Sequence, residues 1–484
     1  MLLSTFKHAD VLYRLHYAQD KNIYLVGGVV RDALLDKSGR DLDVVVEGDA
    51  LMLGRELARE TEGTFVLLDQ DREAGRVHLP NNSGTIDFCS LKGEIGSDLA
   101  KRDFTIDAMA LKLEDASRSN WEDYIQDPYG GRPDIVGKCV RQIHHNVFQD
   151  DPIRLLRGCR LSTWLGFEIE GATKAQITGD AAWIKRVSVE RTRDELLSML
   201  SANGSKTVLR LLDEVGLLCH IIPELTETKG VSQPKEHYWE VFDHIIETVG
   251  AVEMVTSTRN ITDSSTSIYW DDDLETYFSA LLCDGHDRRT WLKVGAMFHD
   301  IAKPRTKSID KTGRTRFIGH SDKGAEIAEY RLKSLRVGHK AVNAVVTMVK
   351  NHLRPSMMSY GSQSPTARAV YRFYRDLEES SVSVLFLSLA DYVAARGPRL
   401  EAIGWKKKVK TVNYVLNQKC LGLQPHNKTR LITGHDLISE LGLTPGPAFR
   451  NLLDGVEEAC RVREVINRDE ALYWLRCKLK EMKA

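Results

Sequence analysis

Short apolar runs alternate with amphipathic stretches over the first 140 residues of the chain. Six of these runs have the composition and length of strands and are bounded by turn residues: NIYLVGG, DLDVVVE, TFVLLD, GRVHLP, TIDFCSL and ALKLED. Helical periodicity separates several of them. The pattern predicts a mixed sheet with helices for this part of the chain.

Helical periodicity takes over after residue 140 and continues nearly to the end, as in DPIRLLRGCRLSTWLGF and VERTRDELLSML. Two stretches carry turn signals, and we predict a short hairpin at each, in DPYGGRPDIVGKCV and in DKTGRTRFIGH. The polar stretch from Thr256 to Ser267 predicts a mobile loop or insertion in the helical part. The second part of the chain is therefore expected to be mostly α.

Composition places the chain among globular proteins. A chain of 484 residues is too long for one compact core, so we predict two to four domains. Hydrophobic residues make up 42% and charged residues 28%, which are ordinary values for globular proteins. The net charge of −1 neither indicates nor excludes a polyanionic partner. The eight cysteines are scattered and no apolar run is long enough to span a bilayer, so we predict free thiols, no membrane partner and a cytoplasmic location.

Two aspartates one residue apart open a strand. Asp41 and Asp43 project from one face of DLDVVV, while the apolar residues between and after them turn towards the core. Like charges this close are tolerated when a cation lies between them, and Mg²⁺ combines carboxylates with phosphate oxygens. By itself such a pair is as often an exposed acidic strand end. Gly27 and Gly28 favour the cation site over the exposed strand end. Because glycines have no side chains, their backbone N–H groups can hold a triphosphate there.

Gly-Gly, Arg-Asp and Asp-x-Asp within seventeen residues resemble the first motif of class II tRNA nucleotidyltransferases and bacterial poly(A) polymerases, of the polymerase β superfamily. The resemblance implies that Asp41 and Asp43 hold two Mg²⁺ ions for in-line attack of an RNA 3′-hydroxyl on the α-phosphate of a nucleotide. Asp87 is a candidate third carboxylate, with a solvated surface residue as the equal alternative. Arg31 adds positive charge beside the glycines.

The stretch KRDFTIDAMAL resembles the ribose-reading motif of the same family. The resemblance implies that Arg102 and Asp103 contact the sugar hydroxyls. Lys101 and Asp107 depart from the usual arginine and asparagine. Lysine keeps the charge without the planar fork of arginine, and Asp107 leaves the role of the usual asparagine open.

Two further stretches resemble motifs of the family that have structural rather than catalytic roles. DPYGG resembles the third motif, in which Asp127 and Gly131 form a hinge, and a structural turn is compatible with that role. VERTRDEL resembles the fifth motif, in which Glu190 and Arg191 support the base-reading helix.

The stretch DDPIRLLRGCR resembles the fourth motif. On a helix, Asp151 and Arg154 share a face at positions i and i+3, which sets an acceptor and a donor fork at a fixed separation. A carboxylate accepts from an exocyclic amino group and a guanidinium donates to ring acceptors, so the pair reads C and A and rejects U and G. A surface salt bridge is the alternative. Arg157 and Arg160 continue this face and are expected to reach the triphosphate.

The segment CSLKGEIGS between TIDF and DLAKRDF is short. Family members that add the terminal A usually carry a longer flexible loop there, so the resemblance points to an enzyme that adds CC and leaves the A to a partner enzyme. VVVEGDALMLGRELARE looks like the branch in which split activities occur, and the basic stretch expected of a poly(A) polymerase is missing. An A-adding or full CCA-adding enzyme stays open.

His299 and Asp300 are adjacent in the otherwise apolar VGAMFHDIAKP, and a buried charged pair needs partners. Further candidates recur along the helical part: His244, His320, His352 and Asp391. Imidazoles and carboxylates gathered from several helices suit a transition-metal or mixed binuclear site that activates water against phosphate esters.

This ordered set resembles the HD phosphohydrolase superfamily. The resemblance implies that His244, His299, Asp300 and Asp391 are the core ligands of a divalent metal of unknown identity. It also implies that His320 and His352 complete a second metal site. The alternative is a retained HD fold that serves as an RNA-binding body.

The basic stretch GWKKKVK supplies candidate RNA contacts: Lys406, Lys407, Lys408 and Lys410. A solvated helix face is equally common for such a run. The helical patterns that follow resemble the tail with which HD-bearing nucleotidyltransferases grip the tRNA elbow.

The resulting hypothesis is an α+β protein with a polymerase β-like nucleotidyltransferase head at 1–140 and an all-α remainder. The remainder is divided into a base-selecting neck at 141–205, an HD body at 206–400 and a tRNA-binding tail at 401–484. The predicted reaction is Mg²⁺-dependent transfer of CMP from CTP, with ATP as a further possible substrate, to the 3′ end of tRNA. The rivals are an HD phosphohydrolase acting on RNA ends or nucleotides, and an RNA-binding protein without turnover.

Overall fold

A computed structural model describes residues 11–14, 22–37, 41–257, 267–358, 364–420 and 431–481. The chain forms two compact units. The head unit comprises residues 1–195 and 211–221, and the body unit comprises residues 196–210 and 222–484. Most of the polar stretch from Thr256 to Ser267 lies outside the described residues. The finer division into four domains stays a prediction.

The head unit contains the predicted mixed sheet, and all six predicted strands are present. They are β1 (Ile23–Val26), β2 (Asp41–Val46), β3 (Thr64–Asp69), β4 (Ala74–His78), β5 (Thr85–Ser90) and β6 (Ala110–Lys112). Their order in the sheet is β3-β4-β5-β2-β1-β6. Only the β2–β5 pairing is parallel, and it sets Asp43 directly opposite Asp87. The sheet thus brings together two carboxylates that are far apart in sequence.

Helices follow the strands and carry the rest of the head unit. They are α1 (Gly28–Leu34), α2 (Ala50–Thr61), α3 (Ile95–Leu99), α4 (Gly131–Val136), α5 (Val147–Asp150), α6 (Arg154–Leu165), α7 (Gly171–Asp180), α8 (Val189–Ser201), α9 (Ser205–Glu214) and α10 (Leu218–Ile221), of which α8 and α9 each also contribute residues to the body unit. Helix α2 shows how the sequence directs this arrangement. Asp49 caps its first turn by accepting from the Met52 amide at 2.8 Å, and Leu53 and Leu57 on one face are buried.

The hairpin predicted in DPYGGRPDIVGKCV is wrong. Helix α4 occupies the middle of this stretch, because the Asp127 carboxylate accepts from the amides of Gly131 at 2.6 Å and Arg132 at 2.9 Å at the start of the helix. The short strand β7 (Cys139–Val140) then pairs in parallel with β8 (Glu168–Ile169) instead of folding back on the preceding residues. Asp127 acts here as a helix cap, a structural role compatible with the predicted hinge.

The body unit is mostly helical, as predicted. Its helices are α11 (Pro223–Thr226), α12 (Val241–Val255), α13 (Asp272–Ser279), α14 (Arg288–Phe298), α15 (Lys303–Thr306), α16 (His320–Ser334), α17 (His339–Asn351), α18 (Arg354–Met357), α19 (Ala367–Leu377), α20 (Ser381–Arg396), α21 (Ala402–Cys420), α22 (Gly434–Ser439), α23 (Ala448–Arg461) and α24 (Arg468–Glu481). Two antiparallel hairpins interrupt them: β9 (Leu281–Cys283) with β10 (His286–Asp287), and β11 (Lys307–Ile309) with β12 (Thr315–Phe317). The hairpin predicted in DKTGRTRFIGH is confirmed.

The core of the body unit forms where α12 packs against α14 and α20. Helix α20 is apolar on nearly every side, and its first ten residues are all buried. The last three helices share a separate apolar cluster that includes Leu437, Leu452 and Leu475. Among the described residues, no helix combines the length and the apolar character needed to cross a bilayer.

Lys293 is a charged residue inside this core, only 2% exposed. Its ammonium donates to the backbone oxygens of Leu200 at 2.9 Å and Ala202 at 2.7 Å and to Ser205 Oγ at 2.9 Å, and it pairs with Glu253 at 2.9 Å. Burial lowers the pKa of Lys293, and Glu253 opposes that effect. The side chain therefore holds the turn between residues 200 and 205 in place.

We expect Lys293→Met to destabilise the body unit by about 3 to 5 kcal/mol, because a buried charge pair that loses one partner leaves the other uncompensated. Urea unfolding followed by tryptophan fluorescence measures this effect, since Trp291 is fully buried two residues away. The control is Lys333→Met on α16, whose exposed pair with Glu329 contributes at most about 1 kcal/mol. An unchanged unfolding midpoint for Lys293→Met would contradict the assigned role.

Candidate functional sites

Three carboxylates converge on one face of the head sheet. Asp41 is exposed and accepts from the Thr85 amide at 3.0 Å and from Thr85 Oγ1 at 2.8 Å. Asp43 is half-buried opposite Asp87. Arg76 makes two bonds of 2.7 Å to the Asp87 carboxylate. Asp87 therefore already has a cation, whereas Asp43 has no such bidentate partner among the described residues.

The pKa of Asp43 is raised, first by burial and then by the nearby Asp87 and Asp107, while Arg102 opposes the shift. Repulsion between carboxylates and loss of hydration therefore disfavour the ionised form. A divalent cation at this place relieves both effects, because it supplies positive charge and takes carboxylate oxygens as ligands. The donor set formed by Asp41 and Asp43 fits Mg²⁺.

Gly27 meets a strict steric requirement at the end of β1. Its φ of 72° lies in the left-handed region that favours glycine. A Cβ atom there would also clash with the Arg102 guanidinium and lie 3.3 Å from Asp43 Oδ2. The glycine thus lets bare backbone approach both the Asp43 carboxylate and the Arg102 guanidinium.

Arg31 is buried and engaged in an ion pair. Its Nη1 donates to Asp107 Oδ1 at 2.5 Å, and its Nε donates to Asp32 Oδ1 at 2.8 Å. Burial alone would lower the pKa of Arg31, but Asp107 and Asp32 outweigh it and raise the pKa. Asp107 stands where the ribose-reading motif usually has asparagine. Its carboxylate supplies the counter-charge that the buried guanidinium of Arg31 needs.

Asp103 and Arg157 form a second buried ion pair. Arg157 Nε donates to Asp103 Oδ2 at 2.6 Å. Burial would raise the pKa of Asp103, but Arg157 and Arg154 hold it below its ordinary value, and Asp103 raises the pKa of Arg157. The Asp103 carboxylate is therefore ionised and fixed in direction.

Asp151 and Arg154 do not lie on one continuous helix, and that expectation is wrong. Helix α5 ends at Asp150 and α6 begins at Arg154, while Asp151 has an extended backbone with φ −153° and ψ 103°. Pro152 follows Asp151, and a proline disfavours helical backbone at the residue before it. The two side chains nevertheless line the same cavity.

Backbone and side-chain contacts orient this acceptor and donor. Arg191 donates to Asp151 with Nη1 at 3.1 Å and Nη2 at 2.6 Å, so the residue predicted to support the base-reading helix contacts its carboxylate directly. Arg154 donates to the backbone oxygens of Lys101 at 2.6 Å and Val147 at 3.3 Å. Both groups are thereby held at the wall of the cavity.

These residues surround a cavity of about 470 Å³, which we call the head pocket. Its lining includes ten of the residues predicted from the sequence: Gly28, Arg31, Asp41, Asp43, Arg102, Asp103, Asp151, Arg154, Arg157 and Arg160. Arg160 pairs with Glu195 at 2.8 Å and lies over the Trp164 ring, 4.6 Å from its centroid. The volume is in the range of small-molecule sites.

A second constellation lies within the body unit, where six predicted ligands meet in what we call the histidine-aspartate cluster: His244, His299, Asp300, His320, His352 and Asp391. Donor atoms form two groups, each within 4.8 Å: one from His244, His299 and Asp391, the other from Asp300, His320 and His352. Asp300 also lies 3.2 Å from Nε2 of both His244 and His299. It therefore bridges the two groups instead of belonging to the first alone.

The histidines of the cluster point their Nε2 atoms at one another. Nδ1 of His299, His320 and His352 each lies 2.7 Å from a backbone oxygen three residues earlier, which places a proton on Nδ1 and a lone pair on Nε2. The Nε2 atoms of His244 and His299 are 3.1 Å apart, and those of His320 and His352 are 3.4 Å apart. The facing lone pairs of His320 and His352 need a proton or a metal ion between them, whereas His244, whose Nδ1 has no hydrogen-bond partner among the described residues, can carry its proton on Nε2.

Charge in the cluster is consistent with a bound cation. Burial would raise the pKa of Asp300, but His299 and Lys303 hold it well below its ordinary value. Burial would lower the pKa of His299, but Asp300 outweighs it and raises the pKa. Burial lowers the pKa of His352 to about 4, so this imidazole is neutral near pH 7. The neutral imidazole of His352 and the ionised carboxylate of Asp300 suit a divalent metal, whereas the raised pKa of His299 favours a proton on that ring.

Sequence reasoning missed two neighbours of the cluster. Lys303 pairs with Asp300 at 2.6 Å and donates to Gln233 Oε1 at 2.6 Å. His237 lies edge-on to His244, with ring centroids 5.2 Å apart, and burial lowers its pKa to about 4. The i,i+3 spacing from Asp300 was a usable signal for Lys303, whereas nothing local marks His237.

The four candidate RNA-binding lysines do not share one surface. Lys406, Lys407 and Lys410 are exposed on α21. Lys408 is half-buried and donates to Ser356 Oγ at 2.8 Å. Burial lowers the pKa of Lys408 to about 8, and the charge of Asp391 opposes the shift, so this side chain lies within electrostatic range of one member of the histidine-aspartate cluster. Successive helical residues point about 100° apart, which separates Lys408 from its neighbours.

Three family models match the chain. They are described as "Poly A polymerase head domain" at residues 23–141, "Probable RNA and SrmB- binding site of polymerase A" at residues 166–229, and "HD domain" at residues 272–396. The first covers the sheet of the head unit, and the third covers five of the six residues of the histidine-aspartate cluster.

Curated relatives match over nearly the whole length. The A-adding tRNA nucleotidyltransferase of Deinococcus radiodurans is 30% identical, over 92% of this chain and 93% of the relative. The CC-adding tRNA nucleotidyltransferase of Thermus thermophilus is 28% identical, over 94% of each. The Thermotoga maritima CCA-adding enzyme complexed with tRNA has the same fold, with a TM-score of 0.59 at 21% identity over 99% of this chain and 97% of the other.

The mixed sheet, its paired carboxylates and the match to a polymerase head domain define a nucleotidyltransferase joined to an HD domain. The full-length relatives narrow this class, and the chain belongs to the family of tRNA nucleotidyltransferases that includes the CCA-adding enzymes. Relatives named CC-adding and A-adding both match over more than 90% of the chain, so similarity to them does not identify the nucleotide that this chain adds.

Proposed function

We propose that this enzyme adds the two C residues of the CCA end to tRNA from CTP. The observation that carries the proposal is the short connection between β5, which ends at Ser90, and α3, which begins at Ile95. Family members that add the terminal A usually carry a longer flexible loop in this region. A pocket without that loop lacks the element that helps a base site change from C to A. A separate A-adding enzyme then completes the end.

The head pocket supplies the groups that this transfer needs. Asp41 and Asp43 would hold two Mg²⁺ ions, which would supply positive charge to the attacking RNA 3′-hydroxyl and to the triphosphate. Arg102 lies against the bare backbone of Gly27 and faces the same space as Asp43. Arg157 and Arg31 are fixed by buried carboxylates, so they present positive charge to the nucleotide from defined positions.

Asp151 and Arg154 select the base. The amino group of cytosine donates to Asp151, while Arg154 donates to the ring acceptors, and uracil fails because it presents an acceptor to the carboxylate. The two bonds from Arg191 fix the plane of the Asp151 carboxylate and still leave it acceptor sites. The side chain is thereby pre-oriented for a base.

A tRNA substrate that lacks its last three nucleotides tests directly how many nucleotides the enzyme adds. With CTP alone, we expect the product to grow by two nucleotides, and ATP is expected to add nothing to it because the connection before α3 is short. Product length is read on a sequencing gel, with a tRNA ending in CC as the companion substrate. A third, ATP-dependent nucleotide would contradict CC-only addition, and growth of the companion with ATP alone would indicate an A-adding enzyme.

The three exposed lysines of α21 are proposed tRNA contacts. We expect the combined change of Lys406, Lys407 and Lys410 to alanine to weaken tRNA binding and to reduce the slope of log K against log salt by about 2, because each lost phosphate contact removes about 0.7 to 0.9. Filter binding at several salt concentrations measures this slope. The matched control replaces Lys323 and Lys333 of α16, each paired with a glutamate. An unchanged slope in the triple variant would remove these lysines from the interface.

A second activity is proposed for the body unit: metal-dependent hydrolysis of phosphate esters on RNA ends or nucleotides. The facing Nε2 atoms of the histidine-aspartate cluster and the ionised Asp300 favour it over a body that only binds RNA. A divalent metal held there would activate water. Lys303 fixes Asp300 through their 2.6 Å pair, and the backbone oxygens fix the imidazole rings.

A further inference from the structure

A second cavity, of about 330 Å³, lies in the body unit and has no part in the reactions above. Five of its lining residues are aromatic or basic: Lys235, Tyr238, Tyr392, Arg396 and Arg399. Its volume is at the lower end of the range for small-molecule sites. We call it the tyrosine-arginine cavity.

The two tyrosines of this cavity each carry a guanidinium over the ring. Arg399 lies 5.0 Å from the centroid of Tyr238, and Arg396 lies 5.3 Å from the centroid of Tyr392. Arg396 is also fixed by donating to the backbone oxygen of Glu236 at 2.6 Å. Flat rings beside guanidinium groups are the elements with which proteins bind a nucleobase and a phosphate together.

The charge in the cavity favours an anion. Glu236 and Glu401 also line it, but Glu236 is paired with Arg314 at 2.9 Å. Among the described residues, Lys235 and Arg399 have no carboxylate within 4.0 Å, so their charges are available to a ligand. Three cations therefore face one uncompensated carboxylate.

Three separate segments connect the tyrosine-arginine cavity to the histidine-aspartate cluster. On α20, Ala395 lines the cavity one helical turn after Asp391. Tyr238 follows His237, whose ring contacts His244. On α21, Gly404 lines the cavity one turn before Lys408, whose pKa Asp391 influences. The cavity and the cluster are thus built on neighbouring residues of the same segments.

We propose that the tyrosine-arginine cavity binds a nucleoside monophosphate or the equivalent terminal nucleotide of an RNA. The base packs against Tyr238, and Arg396, Arg399 and Lys235 attract the phosphate, while Tyr392, which stacks on Trp405 and contacts Arg396, forms a wall of the cavity. The proposal concerns binding, so it holds whether or not the histidine-aspartate cluster hydrolyses the ligand.

Equilibrium binding of AMP to the full-length protein, measured by calorimetry, tests the proposal. We expect the double variant Tyr238→Ala, Arg399→Met to bind AMP about tenfold more weakly at this site, in line with the loss of one stacking platform and one cation. Ribose 5-phosphate, which lacks the base, is expected to bind the wild type weakly. A short RNA is the third ligand, and its affinity relative to AMP distinguishes an RNA end from a free nucleotide.

Two controls isolate the cavity. Arg450→Met changes an arginine of α23 that is highly exposed, and it should leave AMP binding unchanged. Arg154→Ala removes a base contact of the head pocket, so AMP binding that persists in it and disappears in the double variant belongs to the cavity. Unchanged AMP binding in the double variant, or binding lost only in Arg154→Ala, would overturn the proposal. Absence of hydrolysis with AMP binding intact would overturn the proposed second activity alone.

Discussion

Asp43→Ala is expected to lower the rate of CMP incorporation by about 10³-fold or more, a loss of about 4 kcal/mol of transition-state stabilisation. Asp43 is half-buried, faces Asp87 across a parallel strand pair and lies close to the backbone of Gly27. A cation held there has no substitute ligand at that position, because Asp87 is already bound by Arg76. Single-turnover incorporation from labelled CTP into tRNA measures the rate.

Asp71→Ala, in the exposed turn between β3 and β4, is the matched control and should retain the wild-type rate. Asp87→Ala is expected to lose less activity than Asp43→Ala, since its main partner is an arginine. An Asp43→Ala protein that is folded, binds tRNA and still incorporates CMP within tenfold of the wild type would contradict the assignment of the metal site.

Asp300→Asn is expected to abolish divalent-metal binding at the histidine-aspartate cluster and to reduce hydrolysis of p-nitrophenyl phosphate to background. Asp300 bridges both ligand groups, so one neutral amide removes charge from each. Asparagine keeps the volume, but Lys303 and His299 lose their counter-ion, so folding must be checked by thermal unfolding. Calorimetric titration with Mn²⁺ and the hydrolysis rate are the two measurements.

His352→Ala is the second variant for this prediction, because it removes a neutral ligand without leaving an unpaired charge. CMP incorporation should stay within about twofold of the wild type in both variants, since the cluster residues and the head pocket belong to different units. Wild-type protein that neither binds Mn²⁺ nor hydrolyses the ester would favour an HD fold that only supports RNA. Full hydrolysis by Asp300→Asn would place the reaction elsewhere.

The sheet was predictable because alternation and turn residues act locally. All six strands lie where the apolar runs indicate them, and β2 points Asp41 and Asp43 to the face opposite Leu42 and Val44. The pairing of Asp43 with Asp87 could not be predicted from the sequence, because α2, β3 and β4 lie between the parallel neighbours β2 and β5 along the chain. Strand register of this kind depends on tertiary packing.

The predicted base-reading pair, Asp151 and Arg154, shows how a single proline makes a prediction from helical periodicity wrong. Spacing placed Asp151 and Arg154 on one helix, but Pro152 forces Asp151 into extended backbone. The bidentate contact from Arg191 spans forty residues and has no local signal. A tertiary contact also decides the place of Lys408, which is half-buried against Ser356 although it follows two exposed lysines.

The histidine-aspartate cluster was predictable as a set of residue types and less so as a geometry. Sequence order identified all six members, but the division into two ligand groups bridged by Asp300 appears only in three dimensions. The neighbours Lys303 and His237 belong to the same environment, and only the first has a readable spacing.

The head pocket is proposed to hold two divalent ions on Asp41 and Asp43 beside a cytidine nucleotide that Asp151 and Arg154 select. Anomalous diffraction from crystals grown with Mn²⁺ and a non-hydrolysable CTP analogue tests it most directly. We predict two manganese peaks bonded to the carboxylates of Asp41 and Asp43, with the cytosine amino group within hydrogen-bonding distance of Asp151. Manganese confined to the histidine-aspartate cluster, with the analogue absent from the head pocket, would contradict the account.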